Sequence, residues 1–358
     1  MNLSSIDENE LCTAYNTVDL NATAVLSLYM YDYIYSPVEW YLYRYVYPCL
    51  VTIGLLTNCS FIFVVARVPC MRNNITNFYL INLAVIDLLY LLVAVVSDIV
   101  LYNLYPIRFA AKNLAVCRLD FFVSSFCFAA ATNLITLVTF ERYMAICHPM
   151  RHHIVKGWQR TVKLTVAAWI MCAGFNMPSL AFYSSLDYFC VRWPPTEDYD
   201  SYDYLYQKCS YRLHDARNGV MTIAVLTGAL WSIEALACIA MYIQIIHQLH
   251  KRSKSDYAIA DPHAASTRNQ VAVMLIVNGS FFYACCCFTS VHLVFLIILQ
   301  FGSANEYPLS GYQLMVFKLA GALAYIISCI INPVIYSVTN RKYREAFWVA
   351  ICGCRFSG

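Results

Sequence analysis

The chain is 358 residues long, 60% hydrophobic and only 13% charged, with a formal net charge of +3. A soluble domain carries about 25% charged residues, so this much apolar surface needs lipid as its solvent, and the buried helices of a soluble enzyme do not account for it. No basic block of the kind that holds nucleic acid is present, and 11 glycines with 11 prolines do not suit a fibrous or disordered chain.

Residues 1–24 are polar and lack a basic start, an apolar run and a small-residue cleavage site, so no cleaved signal peptide is expected and the first spanning helix serves as its own signal. Seven stretches follow that approach the roughly 20 apolar residues a spanning helix requires. Their cores lie at 46–65, 78–101, 121–140, 162–182, 220–246, 271–299 and 316–336. Inside lipid every backbone amide must be paired, so each run reads as a helix rather than a strand. The pattern predicts an all-α membrane protein. An extracellular segment over 1–44 precedes a seven-transmembrane helix bundle over 45–337, and a short amphipathic helix and cytoplasmic tail occupy 338–358. In that last stretch Arg341, Lys342 and Arg344 take the polar side and Tyr343 and Phe347 the apolar one, as in a helix lying on the membrane surface.

The loops after the first, third and fifth runs, with the C-terminal tail, hold 15 of the 24 Lys and Arg residues but only four acids, Glu141, Asp256, Asp261 and Glu345. The positive-inside rule makes this face cytoplasmic and places the N-terminus outside the plasma membrane. Asn2 and Asn21 then stand in glycosylation sequons on the outer side. The sequons at Asn58 and Asn278 fall inside spans and that at Asn74 on the cytoplasmic side, so all three are expected to stay unmodified. Most of the 17 cysteines lie in spans as small apolar residues; four, Cys12, Cys117, Cys190 and Cys209, face the oxidising outside.

Asn58, Asp87, Asn133, Glu234 and Asn332 are polar side chains placed within the apolar runs. Such groups face the bundle interior. They either form interhelical hydrogen bonds or hold a small cation with water. Glu234 reads either as a neutral, hydrogen-bonded acid or as a buried ligand contact.

Several of these residues belong to motifs. Asn58 ends Gly-Leu-Leu-Thr-Asn, and Asp87 stands in Asn-Leu-Ala-Val-Ile-Asp-Leu-Leu. Glu141-Arg142-Tyr143 closes the third run, Trp169 and Pro178 lie in the fourth, and Asn332-Pro333-Val334-Ile335-Tyr336 closes the seventh. In this order, one per helix, they resemble the rhodopsin-like (class A) G-protein-coupled receptors over about residues 45–350. The resemblance implies that Arg142 rests against Glu141 and swings toward a G protein on activation, with Tyr143, Asn332, Pro333 and Tyr336 gating the same region and Pro149 and Met150 touching the partner. It implies a sodium-like polar core of Asn58, Asp87, Ser328 and Asn332, although the family's hydroxyl on the third span is Ala131 here. It also implies a disulfide from Cys117 to the second outer loop, with Cys209 preferred over Cys190 and the remaining loop cysteine free to pair with Cys12. Palmitoylation is expected at Cys352 and Cys354.

The chain departs from the family pattern in three places. Arg268 stands where some members carry an acid that locks the arginine, which leaves Glu141 to hold it and favours basal activity. Glu234 takes the place of the proline of span five. In span six Phe282 and Cys285 fit, but Cys286 and Phe288 replace the usual tryptophan and proline, which puts its hinge in doubt.

Asp98 and Asp120, near the outer ends of the second and third runs where a pocket mouth is expected, make up the candidate ligand pocket with Ser124 and His292. Ile326 at the Schiff-base lysine position excludes an opsin, and Ser124 replaces the aspartate of amine receptors. The phrase Met-Ala-Ile-Cys-His-Pro-Met-Arg resembles odorant receptors, whereas the span-two segment is closer to neuropeptide receptors. A receptor for an extracellular peptide, acting on a heterotrimeric G protein in a lipid membrane without cofactor, metal or nucleic acid, is therefore the reading. A receptor for a small molecule and, in another class, a transporter are its rivals. Repeated halves and broken helices, the marks of a transporter, are not seen. A membrane enzyme lacks its cluster: His152-His153 reads as a solvated pair, and Cys285-Cys286-Cys287 points in three directions on a helix.

Overall fold

The computed structural model describes residues 12, 17–19, 35–105, 113–178, 180, 183–193, 195, 202–211, 214–253, 262–301 and 311–352. The calls on Asn2, Asn21 and Cys354 lie outside these residues.

Helix α1 (Pro37–Arg67) begins earlier than its apolar run, because a cap rather than hydrophobicity sets its start. The Ser36 hydroxyl accepts the Glu39 amide at 3.2 Å, and the Glu39 carboxylate accepts the Ser36 amide at 2.9 Å. This reciprocal arrangement satisfies amides that a helix start leaves free, and Pro37 presets the first φ. The short α2 (Pro69–Arg72) turns the chain into α3 (Ile75–Leu104), where Asn74 accepts the Thr76 amide at 2.9 Å. Asn113 caps α4 (Leu114–Cys147) in the same way, accepting the Ala115 amide at 2.8 Å. A loop helix, α5 (Pro149–Val155), leads to α6 (Trp158–Asn176). The remaining helices are α7 (His214–Ser253), α8 (Pro262–Phe301), α9 (Gly311–Thr339) and the short α10 (Arg341–Cys352).

Among the described residues, six helices are long and apolar enough to cross a membrane: α1, α3, α4 and the cores Val225–Lys251, Asn269–Val291 and Met315–Thr339 of α7, α8 and α9. The fourth of the expected spans, α6, is more polar than its run suggested. It has 19 residues, and Arg160, Thr161, Lys163 and Thr165 fill its first turns. It packs on α4, and the bundle closes as a ring in which α1 meets both α3 and α9, and α7 joins α4 to α8. The surface is turned inside out relative to a soluble protein: Leu56, Ile170 and Leu236 are about two-thirds exposed, toward lipid, while Ile86, Leu91 and Cys286 are completely buried.

Hydroxyl and amide side chains on the spans mostly satisfy themselves on carbonyls one turn back. Thr132 donates to Phe128, Thr165 to Thr161 and Asn133 to Ala129, at 2.8–3.0 Å. Asn133, expected as an interhelical bond, therefore serves its own helix. This local bond is the default for a short polar side chain on a helix.

Two features have no sequence signal. Helices α1 and α3 each contain a π turn, at Leu42–Val46 and Tyr90–Val95. One extra residue in a helical turn rotates everything beyond it by about 100°, so the turn in α3 decides where Asp98 points. Outside the bundle, the second outer loop and the N-terminal segment form a sheet in the order β1 (Thr17–Asp19), β2 (Tyr183–Arg192), β3 (Leu205–Tyr211). The all-α expectation holds for the bundle and not for this cover. β2 and β3 are antiparallel with Tyr188 opposite Gln207, and β1 lies parallel to β2 with Thr17 opposite Cys190. Disulfides join Cys117 to Cys209 and Cys12 to Cys190, pinning the sheet to the start of α4 and the N-terminal segment to the sheet.

Non-reduced peptide mapping is expected to recover both bonds, and a Cys117–Cys190 peptide would contradict this connectivity. Cys117→Ser is expected to cost about 2–4 kcal/mol of stability, read as a lower melting temperature of the purified protein.

Candidate functional site

Three polar levels line the bundle interior. At the outer mouth, Asp98 on α3 and Asp120 on α4 are close enough for the first carboxylate to act electrostatically on the second. Asp98 is solvent-accessible, yet Tyr43, Tyr47, Tyr90 and Lys318 all lie within its field. That is the setting of a carboxylate lining a wet cleft. Oδ1 of Asp120 and the hydroxyls of Tyr47 and Tyr325 are buried without a hydrogen-bond partner. Unpaired buried polar atoms are costly, so three in one mouth mark a place built to receive polar groups. Aromatic rings wall it: Tyr90 meets Tyr325 edge-on at 4.6 Å, and Tyr43 stacks on Tyr102 at 5.1 Å. Ser124 is half-buried on α4; the side chain of His292 lies outside the described part.

At mid-depth, Asn332 donates to Asp87 at 2.7 Å. Pro333 has no amide hydrogen, so the carbonyl of Cys329, four residues earlier, loses its helical donor. Asn58 supplies one from α1 at 2.9 Å and also reaches the Gly54 carbonyl at 3.0 Å. Thr57 donates to the next carbonyl of α9, that of Ile330, at 3.2 Å. The helices come close enough for this because residue 54 is glycine: a Cβ there would stand 3.0 Å from Ile330 and closer still to Leu91. Ser328, expected beside Asp87, instead donates to the Tyr325 carbonyl of its own helix at 2.7 Å. The residues expected to form a sodium-like core thus separate into an Asp87–Asn332 pair, an Asn58 bridge and a Ser328 that is locally satisfied, with Ala131 fully buried nearby.

A second mid-depth network was not anticipated. Thr136 on α4 meets the Tyr283 hydroxyl of α8 at 3.2 Å, and that hydroxyl reaches the Cys238 sulfur of α7 at 3.5 Å. One turn below, Thr139 meets the Tyr242 hydroxyl at 3.1 Å. A Cβ on Gly279 of α8 would collide with that hydroxyl. Glu234, half-buried on α7, lies within the field of Tyr283 and Cys238 but has no hydrogen bond or ion pair among the described residues. Helix α8 runs without a break through Cys286, which is buried, and Phe288, which is exposed.

At the cytoplasmic level the expected rest position of Arg142 is not found. The Glu141 carboxylate accepts from His152 Nε2 at 2.9 Å and from Arg160 Nη1 at 3.3 Å, and Nε of Arg142 is buried without a partner. His152 is therefore half of a contact and not a solvated residue. Adjacent residues of a helix point about 100° apart: Glu141 bonds to the loop helix, while Arg142 feels the fields of Tyr343 of α10 and of Glu141 without a hydrogen bond to either. The Tyr343 hydroxyl donates to Asn77 of α3, tying α10 beneath the bundle. Tyr143 is held by His148 at 2.9 Å and by Gln244 of α7 at 3.1 Å. Pro149 is exposed, and Met150 and Ile154, one turn apart on α5, are about 80% exposed. The side chains of Arg268 and Cys352 lie outside the described part.

The profile of the seven-transmembrane receptor (rhodopsin family) matches residues 57–336. The chain is 26% identical over 325 residues to neuromedin U receptor homolog nmur-2 of Caenorhabditis elegans, covering 86% of this chain and 78% of that protein. It is 27% identical over 300 residues to growth hormone secretagogue receptor type 1 of Homo sapiens (83% and 77%), and 23% identical over 323 residues to galanin receptor 2a of Danio rerio (89% and 80%).

Gly279→Ala is expected to force Tyr242 off Thr139 and lower stability by about 1–3 kcal/mol, read as a drop in the melting temperature of the detergent-solubilised protein. An unchanged melting temperature would show that the close approach of α7 and α8 is not needed.

Proposed function

Because the chain belongs to the rhodopsin family of seven-transmembrane receptors, a family of receptors rather than enzymes, we propose that it is a cell-surface receptor for a peptide with a cationic end and that it activates a heterotrimeric G protein. The observation that carries the ligand class is the outer mouth. Two carboxylates lie within electrostatic reach of one another there, one with an unpartnered buried oxygen, among tyrosines that add aromatic faces and hydroxyls. A guanidinium or terminal ammonium answers each of these features: it neutralises the acid pair, donates to the free oxygen and lies well against tyrosine rings. The outer side, with the outer ends of the spans, carries 15 acids against nine basic residues, a field that concentrates cations at the mouth. The relatives named as receptors for neuromedin U, a growth hormone secretagogue and galanin support a peptide over a small odorant.

Both disulfides need an oxidising side, and the excess of Lys and Arg lies on the opposite face, which supports an extracellular N-terminus. On the cytoplasmic face, Met150 and Ile154 present an apolar patch on α5, below the end of α4 that carries Arg142. We assign this face, with Glu141, Tyr143, Pro149, Asn332, Pro333 and Tyr336, to G-protein coupling.

Screening a peptide library in cells with calcium and cyclic-nucleotide readouts tests the proposal. Asp98→Asn and Asp120→Asn are each expected to weaken a basic agonist by about tenfold or more, since a charge-assisted bond contributes about 1.5–3 kcal/mol. An uncharged agonist should be nearly unaffected. An acidic or lipid agonist, or parental potency in both variants, would overturn the ligand assignment. Arg142→Ala is expected to reach the surface, bind the same agonist and fail to promote nucleotide exchange; full exchange by that variant would overturn the coupling assignment.

A further inference from the structure

We propose that the outward side of the first turns of α1 binds a choline phospholipid of the leaflet on the N-terminal side, with Trp40, Tyr41 and Tyr45 taking the trimethylammonium group and Arg44 the phosphate. Helix α1 has 31 residues, a length of about 46 Å at a rise of 1.5 Å per residue. The hydrocarbon core of a bilayer is about 30 Å thick, and the headgroup layers bring it to about 40–45 Å. With Arg67 at the opposite edge of the core, the roughly 20 residues that cross it reach Pro48. The stretch from Pro37 to Val46 then stands among the headgroups.

That stretch has two unlike faces. Glu39 and Tyr47 are buried against the bundle, and Tyr43 stacks on Tyr102 of α3. Trp40, Tyr41 and Tyr45 are each at least half exposed. Tyr45 meets Trp40 at 5.6 Å with the ring planes 73° apart, and Tyr41 at 5.5 Å with the planes 49° apart. The three rings therefore form an open corner. In an α-helix, residues five apart point about 140° from one another. The π turn at Leu42–Val46 lies between Trp40 and Tyr45 and, by closing i→i+5 bonds, carries the second ring back under the first. Arg44, beside Tyr45, is exposed, and its Nη1 donates to Asn103 of α3 at 3.0 Å.

Ring faces attract cations, and a corner of several rings suits a quaternary ammonium. A trimethylammonium group has no N–H to satisfy, so it gives up little on moving from water to the rings, whereas a primary ammonium loses hydrogen bonds. Aromatic rings alone would suit any position at the membrane–water interface. A guanidinium next to them binds phosphate oxygens and selects a headgroup that carries both charges. Through the Arg44–Asn103 bond and the Tyr43–Tyr102 stack, a lipid held here bears on the end of α3 that carries Asp98.

The test uses the purified full chain in detergent micelles doped with equal amounts of dioleoyl phosphatidylcholine, phosphatidylethanolamine and phosphatidylglycerol, with bound lipids counted by native mass spectrometry. The parent is expected to retain phosphatidylcholine over each of the others by about fivefold, a result read without any variant. Trp40→Leu/Tyr45→Leu keeps apolar area but removes the ring faces. It is expected to abolish the preference while the other two lipids bind as before. Trp40→Phe/Tyr41→Phe/Tyr45→Phe should keep the preference. Arg44→Gln is expected to weaken phosphatidylcholine retention severalfold, and parental retention in that variant overturns the phosphate assignment. Equal retention of the three lipids by the parent, a preference for phosphatidylglycerol, or a choline preference that survives the leucine pair overturns the proposal. So does conversion of a dimer to monomers by the leucine pair with lipid retention unchanged, which gives this face to a second copy of the chain.

Discussion

The rest of the structure depends on one missing hydrogen. Pro333 interrupts the ladder of α9 inside lipid, where no water can replace the lost bond, and the carbonyl of Cys329 needs a donor from elsewhere. Asn58 provides it from α1, and Asn332, the neighbour of the proline, binds Asp87 on α3. Three helices far apart in sequence are thereby held at a common depth by bonds whose loss would leave polar groups stranded. Gly54 belongs to the same constraint, since any side chain there would push α1 away from Leu91 and Ile330.

Above and below that layer the same rule, that enclosed polar groups must find partners, is applied unevenly. At mid-depth and among the hydroxyls of the spans it is largely met by bonds to carbonyls of the same helix. At the outer mouth it is left unmet at Asp120, Tyr47 and Tyr325. At the cytoplasmic edge it is met for Glu141 by the loop and left unmet at Arg142. Unsatisfied atoms thus occur at every level, Asn58 Oδ1, Trp231 Nε1 and Asn278 Oδ1 among them in the middle.

The irregularities of the helices differ from what the family pattern suggests. Helix α8 has no proline after its first residue and runs unbroken, so its movement against α7 is controlled by surface fit, with Tyr242 lodged over Gly279 and bonded to Thr139. The irregularities lie instead in the π turns of α1 and α3, the latter aiming Asp98, and in α9 at Pro333. The turn in α3 starts three residues after Asp87, and Pro333 directly follows Asn332.

Composition and periodicity by themselves determined the membrane class, the helical bundle, the excess of basic residues on one face and the depth of each polar side chain, because lipid permits few alternatives: twenty apolar residues in water-free surroundings have to be a helix, and a charged residue within them has to face inward. The motifs around Asn58, Asp87, Arg142 and Asn332 identified the family for a related reason, since each is a local string with a fixed place on one helix. Partner choice was decided only by tertiary structure. Whether Glu141 binds the next residue or one 11 positions away, whether Ser328 turns to Asp87 or to its own helix, and whether Thr136 finds Tyr283 depend on the rotation of each helix about its axis. Rotation shifts with a single π turn or a close glycine contact, and the pattern of apolar residues in a helix surrounded by lipid and other helices constrains it weakly. The outer sheet escaped the sequence for a different reason: its strands mix tyrosine, serine and charged residues with few apolar ones, and two disulfides tie them to distant parts of the chain.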